Sequence, residues 1–171
     1  MKILFAAVAA TALVAIAAPA SAQTYGSLGY SHIEADDVNL GAITGRIGHR
    51  MGSFFGIEAE ASVGVQDDTV AVGATNVGVD LDYSYAGYLT GSVPVTPNLE
   101  VKGRVGYGQT RIEASAAGVS SAGKTDSLNY GVGAQYNWGQ NGVRADWTRH
   151  DFRGNNAGEA DAWTVSFVRQ F

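Results

Sequence analysis

Two glutamates, Glu58 and Glu60, stand two residues apart in the stretch FFGIEAEASVG. On an extended backbone that spacing puts both carboxylates on one face. Paired carboxylates perform acid–base hydrolysis when one of them is held protonated. Arginines and a lysine recur at the same alternate positions of other segments, as Arg46, Lys102, Arg104 and Arg144, beside further acids at Asp82, Glu100 and Asp146. Bases in that number hold the acids ionised, which takes away the proton donor. A nucleophile set is equally incomplete. His150 is followed by Asp151 and Phe152 in RHDFRGNNAGEADAW, while Ser166 falls in another segment and toward its opposite end. A Ser–His–acid triad needs hydrogen-bond reach among all three groups.

Acidic pairs at Asp36-Asp37, Asp67-Asp68 and Glu159 with Asp161 offer hard oxygens without the ligand spacing of a cation-binding loop. The expectation is therefore no catalytic residue, no metal and no cofactor. The chain has no cysteine, which excludes thiol catalysis and disulfide frameworks. Its net charge of -5 gives no electrostatic reason to bind nucleic acid.

The elements that must position these charges alternate with a period of two. Eight segments of strand length emerge: Tyr25 to Ile33, Leu40 to His49, Phe55 to Val65, Leu81 to Val93, Leu99 to Tyr107, Leu128 to Trp138, Val143 to Arg149, and the closing stretch WTVSFVRQF. In the third, Phe55, Ile57, Ala59, Ala61, Val63 and Val65 share one face, and Glu58, Glu60 and Ser62 the other. In the fourth, Leu81, Tyr83, Tyr85, Leu89 and Val93 define the apolar face, which turns Asp82 the other way.

Short turns at 50–53, 96–98 and 139–142 alternate with longer polar loops at 35–39, 66–80, 109–127 and 151–161. Tight turns at one end and long loops at the other describe an all-β, eight-stranded, antiparallel up-and-down transmembrane β-barrel, with the turns in the periplasm and the loops outside. Phe55, Tyr136, Trp138, Phe167 and Phe171 then band at the periplasmic rim. Tyr83, Tyr107, Trp147 and Trp163 band at the outer rim, as two lipid interfaces require. The charges face a lumen only wide enough for side chains. Arg46, Glu58, Glu60, Asp82, Glu100, Lys102, Arg104, Arg144 and Asp146 are thus expected to form one paired network, since isolated charges there would be costly.

Both ends of the chain agree with this plan. Residues 1–22 read as a cleaved secretory signal peptide: Lys2, an apolar run from Ile3 to Ala18 broken only by Thr11, then Pro19 and the small residues Ala20-Ser21-Ala22. Residues 23–171 form the barrel domain. At the other end, Phe171 closes the eighth strand, which must pair with the first to leave no edge in hydrocarbon.

The segments FFGIEAEASVG, GRVGYG, YGVGAQY and the terminal Phe171 together resemble the small outer-membrane β-barrel family labelled porin-family or opacity-like, related to the OmpA transmembrane domain and OmpX. The resemblance covers Gln23 to Phe171. It implies an integral protein of the outer membrane of a Gram-negative bacterium, with roles in membrane integrity or adhesion-type contacts through extracellular loops. Trp163, Val165, Phe167 and Phe171 resemble the C-terminal signal that the barrel-assembly machinery reads, with Arg169 where a large apolar residue is usual. The expected partners are outer-membrane lipids and lipopolysaccharide, with Arg149 and Arg153 as candidates to meet its phosphates. A monomer is expected. Two other readings stay open: a narrow channel for small solutes, and a lipid A-modifying enzyme, whose relatives carry a His-x-Ser spacing that His150 lacks.

Overall fold

The computed structural model describes residues 24–35, 38–66, 68–72, 75–116, 119–153 and 158–171, with side chains undescribed at 68–72, 75–79, 113–116 and 119–122. The expected signal peptide, 1–22, and Asp36, Asp37 and Asp67 lie outside the described residues.

Alternation of apolar and polar residues becomes alternation of faces. The strands are β1 (Thr24–Ala35), β2 (Val38–Met51), β3 (Phe55–Gln66), β4 (Asp68–Val72), β5 (Thr75–Pro94), β6 (Leu99–Ala116), β7 (Val119–Trp138), β8 (Asn141–Phe152) and β9 (Glu159–Gln170). Each pairs antiparallel with the next, except that β3 pairs with β5 and β4 is a short appendage on β5. β1 pairs with β9 from Tyr25↔Gln170 to Glu34↔Asp161, so the other eight strands form a closed barrel. At the seam the Phe171 N–H donates to the Thr24 carbonyl at 3.0 Å.

The barrel is inverted relative to a soluble domain. Leu89, Val105, Val132, Val165 and Phe167 are each about half exposed or more, while Arg46, Glu58, Lys102, Arg144 and Asp146 are buried. A continuous apolar outer wall of this extent requires lipid. Aromatic rings mark its edges. Trp138 lies 6.2 Å from Tyr136 and 6.5 Å from Phe167 near the short turns, and Trp147 stands opposite Trp163 toward the loops. Gly52 (φ 87°) and Gly139 (φ 64°) supply left-handed conformations in the β2–β3 and β7–β8 turns, where a side chain would be strained.

Two expectations are corrected. The stretches 66–80 and 109–127 are not simply loops: β5 and β7 run for 20 residues and β6 for 18, against 12 for β1, β8 and β9. Their outer parts are rich in Ser, Thr and Gly and leave the lipid, so the apolar alternation stops while the backbone ladder continues through pairs such as Ile112↔Gly123. The second correction concerns the fourth segment. The β5–β6 register passes from Leu81↔Ile112 to Tyr83↔Arg111, so Asp82 is the extra residue of a β-bulge. The bulge reverses the side-chain parity above it. Leu81, expected on the lipid face, is buried in the lumen at 3% exposure. Asp82, expected in the lumen network, instead pairs with Arg111 at 3.2 Å, each about one-third exposed.

Candidate functional site

The lumen charges come from four strands. β2 contributes Arg46, β3 contributes Glu58 and Glu60, β6 contributes Glu100, Lys102 and Arg104, and β8 contributes Arg144 and Asp146, all buried. β5 adds Tyr88. The β1 and β9 wall supplies only small side chains at mid-height, Ser27, Gly29, Ser31, Thr164 and Ser166, which leaves room for long ones reaching across. Two inward glycines do the same locally. A Cβ on Gly106 would lie 2.6 Å from the Tyr88 ring, and one on Gly133 would lie 2.5 Å from Asp146 Oδ1.

Three arginines and three acids form the centre. Arg144 Nη1 donates to Glu58 Oε2 at 2.6 Å, and its Nε donates to Asp146 Oδ1 at 2.6 Å. Arg46 Nε donates to Glu60 Oε2 at 2.6 Å, and its Nη1 to Asp146 Oδ2 at 2.7 Å. Arg104 Nη1 reaches Glu60 Oε2 at 2.7 Å and Glu58 Oε1 at 3.2 Å, while its Nε and Nη2 donate to Thr148 Oγ1. Every acid therefore accepts hydrogen bonds from two arginines and every arginine donates to two acids, and Arg46 Nε also lies 3.9 Å from Glu58 Oε1. That mutual pairing is what makes burial of six charges tolerable, because each loses water only in exchange for charge-assisted hydrogen bonds.

Neutral groups complete the centre. The Tyr25 hydroxyl donates to Glu58 Oε2 at 2.8 Å and the Tyr88 hydroxyl to Glu60 Oε1 at 3.2 Å, while the Arg104 guanidinium lies 4.3 Å from the Tyr88 ring centroid. Toward the short turns, Glu100 accepts from Lys102 Nζ at 3.4 Å and from Arg50 Nη2. Toward the loops, the hydroxyls of Thr164, Ser31, Thr44 and Ser62 form a chain across β9, β1, β2 and β3, with links of 2.7, 2.6 and 2.9 Å.

Of the nine charges expected in one network, the structure joins Arg46, Glu58, Glu60, Arg104, Arg144 and Asp146. It sets Glu100 with Lys102 just below and removes Asp82. Sequence reasoning missed Arg50, which shares the parity of Arg46 but was read as part of a turn. It also missed Tyr25 and Tyr88, which are buried in the lumen.

The other candidates resolve as follows. His150 faces inward in the outer half and stacks on Phe152. On β9 it stands opposite Ala160, whereas Ser166 stands opposite Arg144. Six residues of strand separate those positions, about 20 Å, so the two do not meet. Arg149 points outward, and its fork is held by Asp161 at 2.9 and 2.8 Å and by Glu159 at 3.0 Å. Arg153 is exposed, and its backbone N–H donates to the Asp126 carbonyl at 2.9 Å. Of the C-terminal residues, Trp163, Val165 and Phe167 lie on the lipid face. Arg169 shares that face and is held by Asn141 and Gln140 at 2.8 and 3.1 Å.

Residues 4–171 match the model of the outer membrane protein beta-barrel domain. No curated protein sequence matches the chain. Among solved structures the chain is similar to Ail, the attachment invasion locus protein of Yersinia pestis, with a TM-score of 0.63 and 16% identity over 89% of this chain and 100% of that one. It is also similar to Neisserial surface protein A, with a TM-score of 0.61 and 11% identity over 86% and 97% of the two chains. The N-terminal β-barrel domain of Pseudomonas aeruginosa OprF follows, with a TM-score of 0.56 and 11% identity over 85% and 97%. At these identities the likeness is one of fold.

Proposed function

We propose, since the chain belongs to the outer membrane protein beta-barrel domain family and so resides in the outer membrane of a Gram-negative cell, that it serves there as a structural barrel whose outward extensions make surface contacts. The observation that carries this reading is the division of labour along the strands. The membrane part is closed and filled by paired charges. β5, β6 and β7 then continue well past the ends of their neighbours. Length invested beyond the lipid, above a filled lumen, suits contact better than passage. An attachment role is what the name of the Yersinia pestis protein states of that protein, and it is in line with this proposal.

Catalysis is disfavoured on the same geometry, because Glu58 and Glu60 are each held by arginines and Ser166 lies six strand residues from the level of His150. The partners on this reading are outer-membrane lipids, with the barrel-assembly machinery during biogenesis. Arg149 is neutralised by its own carboxylates, which leaves Arg153 as the better candidate for lipopolysaccharide phosphate. The test is a variant in which residues 68–79 and 111–124 are each replaced by a short turn. It should insert normally and protect cells against detergent as wild type does, but lose adherence to host-cell or matrix surfaces. Unchanged adherence would overturn the surface-contact role.

A further inference from the structure

The lumen changes character along its length. Above the hydroxyl chain, toward the loops, the inward positions of β1, β2 and β9 and of β5 at Leu81 become apolar, facing Thr110, Ser127 and His150 on the other wall. Leu40 (5% exposed), Ala42 (0%) and Leu81 (3%) cluster there, with Ile33 and Val38 packed against them. Between this layer and the charges lies a small chamber of about 60 Å³, bordered by Leu40 and Leu81, by Ser31, Ser62 and Thr164, and on the facing wall by Thr110 and His150.

The ionic half below is not sealed in the same sense. Ser27 Oγ, Ser166 Oγ, Arg46 Nη2 and Gln135 Oε1 are buried there without a hydrogen-bond partner among the described residues. Buried polar atoms in native proteins are satisfied by water when no side chain serves them. A layer built of charges and hydroxyls can pass water and small ions from group to group. The side chains of Leu40, Ala42 and Leu81 offer no donor or acceptor for an ion to exchange its hydration shell against.

We propose that the apolar layer around Leu40 and Leu81, rather than the ionic network, is what closes this barrel to ions. Narrow apolar constrictions close by dewetting. The Asp82 bulge builds the seal. In an unbroken strand Leu81 would face lipid and Asp82 would stand in the lumen; the extra residue turns the carboxylate outward to Arg111 and the leucine inward.

The chain has no native cysteine, so a single thiol can report on the seal. Ser31→Cys places one just beneath the apolar layer. Silver ion, small and thiol-reactive, is added from the loop side to the full barrel in lipid vesicles, with the folded fraction read by heat-modifiable migration. Ser31→Cys alone should react slowly, and adding Leu81→Asn should accelerate it by about tenfold or more. In planar bilayers Leu81→Asn should produce current steps, and Arg104→Ala should produce none. Equal silver rates with and without Leu81→Asn, or steps in Arg104→Ala and not in Leu81→Asn, would overturn the proposal. If Leu81→Asn fails to fold, Ser31→Cys alone still decides. Reaction from the loop side as fast as a cysteine at the exposed position Arg153 refutes the seal, and protection from that side with reaction of Ser27→Cys from the opposite side supports it.

Discussion

Arg144 on β8 donates to Glu58 on β3 across the lumen at 2.6 Å, and no backbone ladder joins those two strands. The bond ties opposite walls of the barrel together. Its loss should be felt globally. Arg144→Ala leaves Glu58 and Asp146 each short of one partner, and breaking a buried pair from one side costs about 3–5 kcal/mol. Urea unfolding in lipid vesicles should show a loss of that order, reduced to the extent that water enters the space. A change below about 1 kcal/mol, the size of a surface pair, would mean that the cross-lumen bond carries no weight.

The outer wall predicts the opposite sensitivity. Leu89 is 63% exposed and lies midway along the membrane part of β5. Leu89→Arg should cost about 2–4 kcal/mol, and Phe55→Arg beside the β2–β3 turn should cost about 0–1 kcal/mol, because the penalty falls from the midplane to the interface. The same unfolding assay reads both. Equal costs would show that the wall is not banded by lipid depth.

The bulge at Asp82 makes a local prediction. Spin labels on cysteines placed singly at 81, 83 and 85 should sense lipid-soluble oxygen at 83 and 85 and be shielded at 81. An unbroken strand would place all three in lipid, so accessibility at 81 equal to that at 83 would remove the bulge.

Phe171 contributes its N–H to the Thr24 carbonyl at the closing seam. Deleting Phe171 should lower the yield of folded barrel in outer membranes more than deleting Ser53 in the exposed β2–β3 turn, as measured by heat-modifiable migration of membrane fractions. Equal yields would detach the terminal aromatic from closure and assembly.

Strand number, turn positions and most of the lumen charges were legible because period-2 alternation is strong wherever one face meets lipid. Glu58 and Glu60 declare their face through the apolar residues on either side. The signal fails where its physical cause fails. Beyond the lipid the sequence alternates weakly, yet residues 111–116 of β6 pair residue by residue with 119–124 of β7. At Asp82, parity was carried across a bulge that no local sequence feature marks, so Leu81 and Asp82 were both assigned to the wrong face. The cross-lumen bonds were out of reach for a different reason. Parity says which way Arg46 points, but its pairing with Asp146, 100 residues away, depends on barrel closure and on the small residues of the β1 and β9 wall.

The barrel is filled and closed, and the ion conductance of the purified wild-type protein in planar bilayers measures this directly. A flat baseline after insertion is expected, with no stable open level across the usual voltage range. A steady, ohmic open state of porin size would contradict it, because an ion path of that width cannot coexist with the Arg46, Glu58, Glu60, Arg104, Arg144 and Asp146 network in an eight-stranded wall.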